Sequence, residues 1–301
     1  YQAWGVNDNY VSEEVGMQPI DVDKQYHFFN PRAGVSYTLA ERNNFYLSFA
    51  VAQKEPTRSD FTDRYKFAAD DTYPSSEKLY DWELGYQYTA PRLSLGVNLY
   101  YMKYKDQLVP TGMVNDGSDA LNTNVSDSYR RGVELSASWR ATGWFTVGAN
   151  ATFSQNRIEN YVDALKDSPT YGKELGDMTI AYSPDVIANA FLNFHHRGFE
   201  AVFHTQHVGK QYFTNNENDA LSLDAYCVTN LNLAYTFRTR SARSVRLGLL
   251  INNLFNAEYE SNGYGYSYMD TWSGPAPVRI DEAYYFPQAP LNVLANVTVK
   301  F

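Results

Sequence analysis

An all-β chain that crosses a membrane as an antiparallel up-and-down barrel is the fold class this sequence predicts. Three observations carry it. Apolar and polar residues alternate with period two along one segment after another. The connections alternate between a handful of residues and about fifteen to thirty, as in barrels with short turns at one end and long loops at the other. The polar sides of the segments are built from Gly, Ser, Thr and Asn rather than Lys and Glu. That suits a wet lumen better than the charged exterior of a soluble protein.

Composition sets the bounds. The chain has 301 residues, 44% hydrophobic, 16% aromatic and 20% charged. No apolar run reaches about 18 residues, which excludes a membrane-spanning helix. A barrel survives that test, because its strands hide apolar residues at every second position. Tyrosine is over-used, 26 against 17 Phe and 5 Trp, and amphipathic rings suit membrane interfaces and planar ligands. A net charge of -9 argues against nucleic acid. Cys227, the single cysteine, allows neither an internal disulfide nor a cysteine metal cluster. Tyr1 follows no Met, basic n-region or apolar h-region, and reads as a fragment start or a processed end.

Taken in order, residues 1–28 are polar and rich in Gly and Asp, and are expected to end an extracellular loop. The barrel is expected over 29–301. Ala33, Val35, Tyr37 and Leu39 share one face of the first strand; after a short turn Phe45, Leu47, Phe49 and Val51 share the next. A long polar stretch, 53–75, follows. Trp82, Leu84, Tyr86 and Tyr88 are then followed by Leu93, Leu95, Val97 and Leu99, with a turn at Pro91. A loop is expected over 106–127. Val133, Leu135, Ala137 and Trp139 precede Phe145, Val147, Ala149, Ala151 and Phe153. A third loop runs to 183. Val186, Ala188, Ala190, Leu192 and Phe194 turn through HHRG into Phe199, Ala201 and Phe203. A fourth loop covers 210–224. Leu231, Leu233, Tyr235 and Phe237 lead into LGLLINN, then an aromatic loop over 260–289, then LNVLANVTVKF. In that last strand only Leu294 blurs the polar face. The total is about eleven strands of roughly 9 to 13 residues, the length a tilted transmembrane strand needs.

Five segments resemble the C-terminal half of the barrel of TonB-dependent outer-membrane receptors. INNLFNAEY, at 251–259, is similar to the family's penultimate-strand motif N-L-F-[DN]-x-x-Y. SEKLYDWELGY, at 76–86, resembles its strand entry P-E-x-x-x-x-x-E-x-G, with Glu83 and Gly85 matching. AVAQKEPTRSDF resembles F-R-x-P-x-x-x-E, with Pro56 kept, Lys54 in place of the Arg and Asp60 of the acid. RRGVELSASW is similar to a G-x-E strand start, and YSPDVIANAFLNF to the S-P-x-x-x-x-N strand. The resemblance implies half of a barrel of about 22 strands. It also implies a plug domain and TonB box outside this sequence, outer-membrane location, and Phe301 as the signal read by the barrel assembly machinery. The resemblance leaves open whether a surface lipoprotein lids the pore as a further partner.

No catalytic or metal constellation emerges. His204 and His207 are three apart on a strand and point to opposite faces. His195 and His196 sit in a turn, where solvated residues outnumber ligands. NDGSDALN hints at a calcium loop but lacks the acidic spacing and closing Glu. No enzyme activity or cofactor is expected. Asp81, Glu83, Arg130 and Glu134 face the lumen, either paired together or docking a plug. The best ligand candidates are Tyr264, Tyr266, Tyr268, Trp272, Tyr284 and Tyr285, whose rings bury large area at small entropic cost. Tyr161, Tyr171 and Tyr212 are weaker candidates of the same kind.

Through the resemblance, the expected role is active uptake of a scarce ligand, first a ferric siderophore or haem, then cobalamin or glycan fragments. Acidic, aromatic loops without a basic cluster disfavour a highly anionic chelate. The rival is a passive pore or secretion translocator, a closed barrel of about 12 strands with residues 1–20 supplying the missing one.

Overall fold

The computed structural model describes residues 2–12, 16–62, 73–114 and 120–301, those before 23 by backbone alone. The strands are β1 (Gln2–Ser12), β2 (Gly16–Tyr26), β3 (Arg32–Leu39), β4 (Asn43–Lys54), β5 (Glu77–Ala90), β6 (Leu93–Val114), β7 (Ala120–Arg140), β8 (Phe145–Ile158), β9 (Met178–Thr179), β10 (Val186–His196), β11 (Phe199–Val208), β12 (Gln211–Tyr212), β13 (Ser222–Leu223), β14 (Tyr226–Phe237), β15 (Ser244–Asn252), β16 (Glu260–Asp270), β17 (Val278–Pro287) and β18 (Asn292–Lys300). A single helical turn, α1 (Arg58–Thr62), follows β4.

One antiparallel sheet dominates, with the continuous order β18-β15-β14-β11-β10-β8-β7-β6-β5-β4-β3 and β9 added to β8. Its end strands β3 and β18 do not pair with each other, so the eleven-strand wall stays open. Every neighbour but β18, which follows the β16–β17 excursion, comes next in the chain or across a long loop. That is up-and-down topology.

Register explains why these sequences make this wall. Directly opposed residues share a face. One rung joins Val35, Leu47, Leu84, Leu99, Val133, Phe153 and Val186. The rung on the opposite face joins Thr38, Asn44, Gln87, Gly96, Ser136, Asn150, Asn189 and Gln206. A slip of one residue would mix the two faces. The apolar face stays uncovered: Val35 is 64% exposed and Leu84 51%. Apolar surface this continuous has no place in water and suits lipid. The short ends close tightly. Arg197 and Gly198 have φ of 47° and 85°, the mirror-image turn whose twist matches a two-residue hairpin.

The buried core lies in the long connections rather than between sheet faces. Val109, Val125, Ile158, Tyr161 and Ile180 form one cluster, and Phe213, Leu221 and Leu223 another.

The long connections also differ from the sequence expectation. Where a loop was expected over 106–127, β6 and β7 run on as a hairpin to Val114 and from Ala120. The stretch 260–289 folds as the β16–β17 hairpin, and 210–224 contains the β12–β13 pair. Residues 1–28 contain β1 and β2, which pair with each other and not with the wall. These hairpins escape a period-two reading because small, polar and aromatic residues alternate in them without an apolar stripe. The calcium-like stretch lies, over 115–119, outside the described residues.

Candidate functional site

The β16–β17 hairpin places the aromatic residues. Its ladder opposes Tyr264 to Tyr284, Tyr266 to Glu282 and Tyr268 to Ile280. Tyr264, Tyr266, Tyr268, Glu282 and Tyr284 therefore share one face. The other face presents Gly263, Gly265, Ser267 and Met269, and seats on the Phe213 cluster: a Cβ at Gly265 would meet Leu221 and Phe213. The small residues let the hairpin lie flat, which leaves the tyrosine face outward.

Tyr264 and Tyr284 stack with centroids 4.9 Å apart and planes 13° apart. Tyr266 lies 6.3 Å from Tyr284 and 6.5 Å from Tyr268. Glu282 gathers their hydroxyls: Tyr266 donates to Oε2 at 2.6 Å, Tyr284 to Oε2 at 2.8 Å and Tyr268 to Oε1 at 3.2 Å. The hydroxyl of Tyr266, then that of Tyr284, holds the Glu282 carboxyl below its usual range. Glu282 in turn pushes the Tyr266 and Tyr284 phenols up. The face is thus a platform of neutral phenols around one carboxylate, with Tyr264 and Tyr284 each 44% exposed.

The six sequence candidates divide. Tyr264, Tyr266, Tyr268 and Tyr284 come together. Tyr285 points to the opposite face, its ring 5.8 Å from Phe213. Trp272 stands at the hairpin tip, 79% exposed. Sequence reasoning missed Glu282, although IDEAYYF places it two residues before Tyr284 and so on the same strand face. Tyr161 is buried in the first loop cluster, and burial pushes its phenol to about 12. Tyr212 donates to Asp219 at 3.4 Å and Tyr171 stays exposed.

Asp81, Glu83, Arg130 and Glu134 share the polar face of the wall on neighbouring rungs. Asp81 and Arg130 lie on one rung through Met102; Glu83 lies on the next through Tyr100; Glu134 opposes Asn98. No ion pair joins the four among the described residues. Arg130 donates to Ser183 Oγ at 2.9 Å, and Asn98 donates to Glu134 Oε2 at 3.1 Å. Glu83, Arg130 and Glu134 line a cavity of about 360 Å³. Asp81 Oδ1 is buried and has no hydrogen-bond partner among the described residues.

The loop above β8 is pinned by polar side chains. Buried Asp163 accepts from the backbone N–H of Leu165 at 3.0 Å and from Ser168 at 3.2 Å. Glu217 pairs with Arg157 and accepts from the Thr179 backbone N–H at 3.0 Å. Burial raises the Glu217 pKa, but the bonds from Thr179 and Arg157 outweigh it and hold the carboxyl low. Among the described residues no group of His, Cys, Asp and Glu could hold a metal ion. His204 and His207 fall on opposite faces, opposed to Phe191 and Ala188. Phe301 ends the chain beside β18, 94% exposed.

Comparison with known proteins agrees with this architecture. The chain is 24% identical over 190 residues to the pesticin receptor of Yersinia enterocolitica, covering 63% of this chain and 26% of that protein. It is 23% identical over 273 residues to the catecholate siderophore receptor Fiu of Escherichia coli, covering 83% and 32%. The crystal structure of the ferric yersiniabactin uptake receptor FyuA from Yersinia pestis superposes with a TM-score of 0.66 at 18% identity, over 95% of this chain and 39% of that one. The copper transporter OprC superposes at 0.65 and 18% identity, over 95% and 41%. The chain thus spans about a quarter to two fifths of the length of the relatives it matches. The family described as "TonB dependent receptor-like, beta-barrel" matches residues 5–254, and the chain belongs to that family of TonB-dependent receptor β-barrels.

Proposed function

We propose that this chain is the C-terminal half of the barrel of an outer-membrane transporter driven through TonB, and that it takes up a scarce iron chelate. The reading is supported by the family, by the open wall and by relatives named as receptors for pesticin and catecholate siderophores. The observation that carries the ligand site is the exposed tyrosine platform around Glu282. Stacked phenols offer flat contact area, and the carboxylate accepts donors and repels anions. This favours a siderophore or haem of low negative charge over a multiply anionic chelate. Asp81, Glu83, Arg130 and Glu134 would face a plug domain, whose withdrawal by TonB opens the lumen. Phe301 would serve the assembly machinery.

The test uses the full-length native protein in cells starved of iron, offered labelled ferric siderophores and haem. Replacing Tyr264 and Tyr284 by Ala should weaken ligand binding at least tenfold while the barrel still migrates as folded without heating. Removing TonB should abolish uptake and spare binding. Uptake that persists without TonB would establish a passive pore instead.

A further inference from the structure

Five short turns join wall strands at one end: 40–42 between β3 and β4, 91–92 between β5 and β6, 141–144 between β7 and β8, 197–198 between β10 and β11, and 238–243 between β14 and β15. Every one of them carries arginine or directly follows it. Arg42, Arg92 and Arg197 lie within their turns, and Arg140 ends β7 just ahead of its turn. The last turn holds Arg238, Arg240 and Arg243. All seven side chains are exposed, and Glu41 is the only carboxylate in the five turns. Short turns face the periplasm in barrels of this kind.

None of these seven arginines has a carboxylate partner among the described residues. Glu200, at the same end of β11, is taken by Arg246 at 2.7 Å. So much like charge at one end, in a chain whose net charge is -9, calls for anions from outside the chain. Rings mark the depth at which the row stands. Trp139 precedes Arg140 on the apolar face, opposite Val147. Phe145 and Phe194 stack with centroids 4.5 Å apart, and Trp144 lies 6.1 Å from each. Phe237 precedes Arg238 and lies 5.9 Å from Tyr235. Outward rings at strand ends sit at headgroup level. Arg140, Arg197 and Arg238 follow Trp139, Phe194 and Phe237 by one to three residues, which places them among headgroups.

We propose that this row of arginine turns binds the phosphates of anionic phospholipid in the leaflet at the short-turn end. Each guanidinium offers a planar fork to phosphate oxygens. Consecutive hairpin turns recur every second strand, about 10 Å apart, so neighbouring turns meet neighbouring lipids. A zwitterionic headgroup presents the same phosphate with an ammonium beside it, and a row of cations repels that ammonium. The preference is therefore for an anionic headgroup such as phosphatidylglycerol. Turns this short keep the guanidinium groups beside the rings, which favours a lipid over a soluble acidic protein. The inference rests on the bilayer reading of the wall.

The test takes the full-length native protein, delipidated in detergent. It is titrated with phosphatidylglycerol and phosphatidylethanolamine of matched acyl chains, and retained lipid is read by native mass spectrometry. The wild-type protein should prefer phosphatidylglycerol about tenfold, and the preference should shrink as salt rises. Millimolar inorganic phosphate or soluble polyglutamate should not displace the lipid. Arg92→Gln, Arg197→Gln and Arg240→Gln combined should abolish most of the preference, and each single variant should show part of that loss. The matching Lys substitutions should keep most of it, since charge sets the choice of headgroup. Lys173→Gln, in a long connection, should change nothing. Equal retention of the two lipids by the wild-type protein, a preference indifferent to molar salt, or an undiminished preference in the folded triple variant would each overturn the proposal. Full displacement by phosphate or by polyglutamate would overturn it too, in favour of a soluble anion or an acidic protein. A protein that never shows heat-modifiable migration would instead overturn the bilayer reading itself.

Discussion

At the scale of single residues, Glu282 decides the chemistry of the platform. Its carboxyl is held low in the folded hairpin, so its contribution is present above the ordinary carboxylate range and is lost as pH falls through the lowered value. Tyr266 and Tyr284 are raised, so their contribution is present below the ordinary phenol range and is lost as pH climbs through the raised values. The platform should therefore be unchanged between about pH 5 and 9. With Glu282→Gln, tyrosinate absorbance should rise at lower pH than in the wild-type protein; an unchanged titration would refute the contact. Gly132 is a second decisive position. A Cβ there would press on the Phe153 carbonyl oxygen and the Tyr100 ring, whereas one at Gly143 meets nothing. Gly132→Ala should lower the unfolding midpoint clearly and Gly143→Ala should not, as measured by tryptophan fluorescence in urea.

Strands and hairpins answer to the solvent each face meets. Val147 sits on the apolar face opposite Leu192 and Trp139; Asn150 sits on the polar face, where Asn189 donates to it at 3.2 Å. Val147→Arg should cost roughly 2 to 4 kcal/mol of folding stability in lipid vesicles, and Asn150→Arg far less. Equal damage would reverse the assigned faces. The wall was legible in the sequence because a lipid-facing face and a wet face impose strict alternation, as Leu84 beside Glu83 and Gly85 illustrates. The β16–β17 hairpin was not legible, because Tyr264, Gly265 and Tyr266 alternate ring with hydrogen rather than apolar with polar. Its candidate tyrosines were visible by composition. Their partner Glu282 needed the register, which cross-strand hydrogen bonds set and no local pattern prints.

At the scale of the whole wall, the strand order ends at β3 and at β18, and among the described residues neither outer edge is paired. Exposed edges of this length invite pairing, and closure of the barrel through further strands of the protein would satisfy both. Phe301 stands at the end of the β18 edge. Its deletion should leave synthesis intact and reduce the heat-modifiable barrel in the outer-membrane fraction; normal assembly without it would remove its role as a signal.

The sequence alone determined that the chain is an antiparallel wall with one face for lipid and one for water, since both solvents act on every residue in turn. It also determined the order of strands, since short turns force neighbours to pair. Only the tertiary structure decided which side chains meet across the long connections. Tyr266 and Glu282 are 16 positions apart, and Phe213 lies beneath Gly263 and Gly265 from a different loop. Those contacts depend on how separate hairpins stack, a matter of shape and burial summed over distant segments, which no single segment's alternation encodes.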